Sequence, residues 1–121
     1  MIHRVMVLVL LLLVVQFAQG LAIEFGPLEA GDEILMAHIG LGVLILLILL
    51  GVTYSSRREK HPAASDITFT FSIYLVQGVL GLASRMGGET GGLLATIHLY
   101  LSVFVLMAAA ASLVLVFSER K

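Results

Sequence analysis

The chain has 121 residues, of which 60% are hydrophobic and 12% charged, with a formal net charge of −1 and no cysteine. A chain of this length makes one small domain, and as a soluble domain it would leave too much apolar surface in water. The absence of cysteine excludes disulfides, thiolate metal sites, iron–sulfur clusters and thiol nucleophiles, and the near-neutral charge offers nothing to a nucleic acid.

The apolar residues fall in four long runs. The first covers residues 5–23. A rival reading treats it as a secretory signal, with Arg4 as the basic region, Val5 to Val15 as the apolar region and Ala18-Gln19-Gly20 as the cleavage site. The reading kept here is a first membrane helix. Next come ten acid-rich residues, 24–33, with Pro27, Gly26 and Gly31. The second run covers 34–54. A basic loop follows, reading SSRREKHPAASD. The third run, 67–84, is the least apolar, with Thr68, Thr70, Ser72 and Gln77. A glycine-rich turn, RMGGETGG, leads into the fourth run, 93–117. At 1.5 Å per residue each run spans or nearly spans a hydrocarbon core of about 30 Å. Each must be helical, because lipid offers backbone groups no partner outside the segment. The predicted architecture is therefore all-α: a single integral membrane four-helix bundle over residues 1–121, surrounded by lipid.

Four spans bring Arg4, Arg57, Arg58, Lys60, Arg120 and Lys121 to one side. The other side holds Arg85 with Glu24, Glu29, Asp32, Glu33 and Glu89. The positive-inside rule then makes the N- and C-termini cytoplasmic and predicts a multi-pass protein of a prokaryotic plasma membrane. Trp is absent, so Phe and Tyr must form any aromatic belt.

An internal repeat is visible. A shift of 60 residues places His38 on His98 and Leu41 on Leu101, and a shift of 58 places Gln19-Gly20 on Gln77-Gly78. The repeat predicts two similar helical hairpins about an axis along the membrane normal.

Each histidine lies one to two turns into its helix, at matching depth in the outer half of the bilayer. An ionisable side chain there is costly and faces the bundle interior with a partner. Two facing imidazoles in an apolar bundle suit a flat cofactor with axial ligands, and haem b is the predicted one, with His38 and His98 as iron ligands. Ala37, Gly40, Gly42, Ala95, Ser102, Gly78 and Gly81 make room for a plate. Gln77, Gly81 and Arg85 recur at four-residue spacing, and Arg85 is a partner for an outward propionate. Gln16 and Gln19, three apart, either bond the histidines or join helices; Gln19, Gln77, Gly81 and Arg85 are the predicted cofactor contacts. Other readings of the histidine pair stay open: hydrogen bonds to Gln or Ser of neighbouring helices, a quinone or proton-relay site, or a non-haem metal completed by acids. Asp32 and Glu33 open the second helix, where acids favour the helix dipole; as candidate catalytic groups they would be carboxylates at the cofactor edge. His3 and His61 read as solvated at the inner surface.

The stretch from Gln77 to His98, continuing Leu-Tyr-Leu-Ser-Val-Phe-Val-Leu, together with His38 early in the second helix, resembles one four-helix half of the haem A synthase family. The resemblance covers nearly the whole chain. It implies a bundle with one haem-ligating histidine on the second helix and one on the fourth. The family's glutamate three residues before the first histidine and the arginine after it are Leu35 and Ile39 here, and its outer-loop cysteine pair is missing. Haem ligation by His38 and His98 carries over; oxidation of a haem methyl does not follow from these residues. Electron transfer or haem handling is the predicted role. The alternatives are a compact haem A synthase acting as a homodimer and an accessory subunit of a respiratory complex; a quinone is a further candidate partner.

Overall fold

A computed structural model describes residues 1–26 and 32–118. Glu29, Pro27, Gly31, Arg120 and Lys121, which entered the sequence reading, lie outside the described residues. Helix α1 is Ile2–Phe25, α2 Asp32–Arg58, α3 Ala64–Met86 and α4 Gly91–Ser118, and a single 3-10 turn, Gly88–Thr90, precedes α4. The helices have 24, 27, 23 and 28 residues, or about 34–42 Å each, enough to cross the hydrocarbon. All four are apolar enough to do so. The chain is a multi-pass membrane protein.

The helices outrun the predicted segments by up to four residues at their ends. Arg57 and Arg58 therefore end α2 rather than opening a loop, and Arg85 sits in the last turn of α3. Cations at these positions meet the unpaired carbonyls of a helix C-terminus. The α2–α3 connection is correspondingly short. His61 N–H bonds Ser56 O and Lys60 N–H bonds Arg57 O, with Lys60 in the left-handed region at φ 51°. That pair of bonds closes a helix end on a left-handed residue. His61 Nδ1 then accepts the N–H of Ala63 at 3.1 Å, at the start of α3. His61 is thus a capping residue, and the His3 ring lies 6.0 Å from that of Phe117, joining the two chain ends. Neither reaches the histidine pair.

Each helix packs on its two neighbours in the ring α1–α2–α3–α4, and among the described residues the backbones of the diagonal pairs make no close approach. Consecutive helices run antiparallel, so Ile2 and Ser118 lie at one end and His38 and His98 near the other. Large apolar side chains such as Leu11, Leu47, Phe69, Phe104 and Val114 face outward. In water such a surface would aggregate; in a bilayer it is the solvated face.

The interior repeats with a precision the sequence hides. On α1 the buried residues are Ile2, Met6, Val9, Leu13 and Gln16; on α3 and its cap they are Ala63, Ile67, Thr70, Tyr74 and Gln77. Every member of the second set lies 61 positions after its counterpart. Likewise Ile45, Leu49, Val52 and Ser56 of α2 match Val105, Ala109, Ser112 and Val116 of α4 at a shift of 60. The first hairpin thus overlays the second as a pseudo-twofold pair, but the register of α1 on α3 is 61. Gln16 answers to Gln77 and Gly20 to Gly81. The register that places Gln19-Gly20 on Gln77-Gly78 is corrected: it is three residues off, which slides α1 by about 4.5 Å along its axis and turns it by about 60° from the face it buries.

The repeats differ in polarity. Val9 and Leu13 in the first become Thr70 and Tyr74 in the second. Thr70 donates to Asp66 O, and because that uses its one hydroxyl proton, Ser112 donates to Thr70 across the 3.0 Å contact between α3 and α4. Tyr74 donates to Gly42 O at 3.0 Å and ties α3 to α2. Buried hydroxyls of this kind join helices where the hydrophobic effect cannot, lipid being as apolar as leucine.

Candidate haem site

The tightly packed interior stops at Gln16, Ile45, Gln77 and Val105. Beyond that level the bundle opens into a cavity of about 510 Å³, within the range of sites that bury a small ligand or cofactor. Its walls are mostly apolar, and the residues that hollow it out are Gly20, Gly42, Gly78, Gly81, Gly91 and Gly92. His38 and His98 both line it. Their ring centres are 6.4 Å apart and their planes are inclined at 79°.

The seating of each histidine follows from helix geometry. In a helix the side chain of residue i+4 lies over the carbonyl of residue i, because side chains lean toward the N-terminus. A glycine at i+4 uncovers that carbonyl. Gly81 uncovers Gln77 O, and His98 Nδ1 lies 2.8 Å from it. The carbonyl can only accept, so Nδ1 carries the proton and Nε2 keeps its lone pair. A Cβ at position 81 would come within 2.8 Å of His98 Cε1 and 3.0 Å of Nδ1. On the other side of the axis the arrangement repeats more loosely. The His38 ring interacts with the Gln16 carbonyl, uncovered by Gly20, but its Nδ1 is buried without a hydrogen bond. A Cβ at position 20 would stand 3.5 Å from His38 Cε1, an ordinary contact. The two repeats thus share one unit: a carbonyl, a glycine four residues later, and an imidazole on the following helix.

The remaining predicted site residues distribute unevenly. Gln77, Gly81 and Arg85 line the cavity on one face of α3. The part of Gln77 that meets the histidine is its main-chain oxygen, not its amide. Gln19 is not among the cavity-lining residues; Gln16 is. Asp32 and Glu33 are exposed in the first turn of α2 and do not line the cavity, whereas Glu24 does, with Arg85, on the histidine side of the bundle. Gly40 faces open space, and Gly42 is the glycine of α2 that lines the cavity. Tyr74 also lines it and was missed by the sequence reading. Its signal was its place three residues before Gln77, on the same helical face. Leu35 and Ile39, at the positions of the family's glutamate and arginine, both line the cavity.

No family model, curated protein or solved structure matches the chain. Two imidazoles on opposite sides of one metal, each bonded at about 2 Å, have ring centres about 6 Å apart, and the observed 6.4 Å agrees. A ligating imidazole commonly gives its second ring N–H to a carbonyl, which fixes its tautomer and aims the other nitrogen; His98 has that arrangement. Among the described residues no three His, Asp or Glu side chains converge. Two histidines alone underfill the shell of a bare metal ion, whereas a porphyrin brings its own four nitrogens. The residues present fit a haem.

Proposed function

We propose that this protein binds one haem b in the outer half of the membrane with His38 and His98 as axial ligands, and that it serves electron transfer or haem handling. The observation that carries the reading is the pair of inward histidines 6.4 Å apart across a glycine-walled cavity. The bound haem would supply reversible one-electron chemistry. His38 and His98 hold it, the glycines give it width, and Arg85 at the outer end neutralises a propionate. The resemblance to one half of a haem A synthase supports the same ligand assignment. Leu35 and Ile39 give the cavity no acid, base or cation at the family's motif positions, so electron transfer is favoured over oxidation of a haem methyl.

A dithionite-reduced spectrum of protein purified after expression with ample haem tests the reading. Sharp low-spin α and β bands are expected, and they should vanish in His98→Ala. A colourless preparation, or an unchanged spectrum in His98→Ala, removes the assignment.

The proposed setting is a prokaryotic plasma membrane with both chain ends in the cytoplasm, on the strength of Arg4, Arg57, Arg58 and Lys60 at that end. Because the chain has no cysteine, single cysteines report orientation cleanly. Glu89→Cys should react with an impermeant maleimide in intact cells and Lys60→Cys only after lysis; the reverse pattern would invert the topology.

A further inference from the structure

We infer that the two histidines are unequal, with His98 the permanent ligand and His38 the releasable one, so that the His38 side of the cavity admits a small neutral ligand of the diatomic-gas class. This inference rests on the haem reading above and adds a binding function to it.

The pseudo-twofold axis allows each side to be compared with its own counterpart. His98 is held at three points. Its Nδ1–H is bonded to Gln77 O at 2.8 Å. Its ring lies flush on the α3 backbone, so that three ring atoms fall within 3.3 Å of where a Cβ of residue 81 would be. Its helix belongs to the most closely packed pair in the bundle, α3 with α4. His38 has only a looser form of the first two. Its buried Nδ1 faces the Gln16 carbonyl without closing a hydrogen bond of good geometry, its ring stands 3.5 Å from the same construction at Gly20, and α1 with α2 is the looser hairpin. An outer-shell carbonyl makes a ligating imidazole more basic and fixes its direction. The ring with the well-formed bond binds more firmly than the ring with the loose one.

The space next to His38 also holds an amide. One turn away along the two helices, a Cβ at Gly42 would meet Gln16 Nε2 at 2.9 Å and Tyr74 Oη at 3.7 Å. The Oε1 of Gln16 is buried and unpartnered. At the counterpart positions the second side has Gln77 for Gln16, Ser102 for Gly42 and Leu13 for Tyr74; the first side differs in that Gly42 leaves open the space that the Ser102 side chain takes in the second. An amide beside a position that a ligand can vacate is a feature that lets a haem pocket hold a polar diatomic ligand, since distal donors and access decide binding there. Gln16 is the donor on this side; the hydroxyl proton of Tyr74 is already given to Gly42 O.

The test uses the haem-loaded protein, reduced with dithionite and exposed to carbon monoxide. The expected result is a shifted Soret band with loss of the split low-spin visible bands. His38→Ala should retain haem in a high-spin form and take up carbon monoxide faster than the parent, while His98→Ala should lose haem. Gln16→Leu should keep the haem and shift the infrared stretch of the bound carbon monoxide, a signature that a merely structural glutamine would not alter. If carbon monoxide leaves the parent low-spin spectrum unchanged, the inference is overturned and bis-histidine haem binding stands. If His38→Ala and His98→Ala lose haem equally, the ligands are equivalent and the inference is again overturned. If the parent protein takes up no haem, both readings fall together.

Discussion

Gly81→Ala will weaken haem binding by about 10–100-fold, the range found when a metal ligand loses its outer-shell partner. The added methyl would sit 2.8 Å from His98 Cε1 and 3.0 Å from Nδ1, so the imidazole must leave the α3 surface. In leaving it loses the bond to Gln77 O, and the same methyl then covers that carbonyl. The ring cannot be reseated by a change of rotamer, because the obstacle stands where the ring lies. Titration of haem into the apoprotein, followed at the Soret band, reads the effect. Gly20→Ala is the matched control. There the new methyl makes an ordinary 3.5 Å contact with His38, and affinity should stay close to that of the parent. An affinity for Gly81→Ala as close to the parent's as that of Gly20→Ala would remove the carbonyl–glycine–imidazole unit as an explanation of the site, and equal losses in the two variants would show that the unit seats both histidines alike.

Gly91→Ala will destabilise the second hairpin. A Cβ at position 91 would fall 2.6 Å from Ser84 O. Both partners are backbone, so neither can turn aside, and the α3–α4 crossing must open. Overpacking of this kind costs about 1–3 kcal/mol. The crossing also forms the cavity wall, since Ser84, Arg85 and Gly91 all line it. Loss of thermal stability in detergent should therefore be accompanied by weaker haem retention. Gly92→Ala separates this from a simple change of helix propensity. Nothing lies within 4 Å of a Cβ there, and alanine in a helix is favoured over glycine by roughly 1 kcal/mol. Gly92→Ala should be neutral or stabilising. A drop in melting temperature for Gly92→Ala as large as that for Gly91→Ala would rule out the close approach as the cause.

The path from sequence to site ran well where the bilayer imposes the answer. Four apolar runs, each long enough to span, have only one backbone solution in lipid, and the helices differ from the predicted spans only in their terminal turns. Those turns are polar and lie where hydropathy falls away, which is why Arg57, Arg58 and Arg85 read as loop residues. The matched depth of His38 and His98 was visible from their positions alone, because depth along a helix is a matter of counting residues. Rotation about the helix is harder. Nearly every face of an α1 made of Leu and Val is apolar, so hydropathy does not say which face turns inward. Gln19-Gly20 resembles Gln77-Gly78 because the same two letters are adjacent in both. What the structure repeats is a glycine four residues after a carbonyl, and the carbonyl belongs to the backbone, which no letter of the sequence records.

The polar residues divide in the same way. Asp32 and Glu33 stand near the first histidine in sequence but point away from the cavity, whereas Glu24, on α1, lines it. Tyr74 and Gln16 reach the His38 side only because α1 and α3 both flank α2. The amino-acid sequence alone settles that the chain is a membrane bundle of four helices in two similar halves, with two histidines at one level, because length, hydropathy and residue count act along the chain. Only the tertiary structure decides which faces meet, and that Gly81 seats His98 while Gly20 leaves His38 loose. Those properties depend on the rotation of each helix about its own axis, which is set by packing between helices distant in sequence.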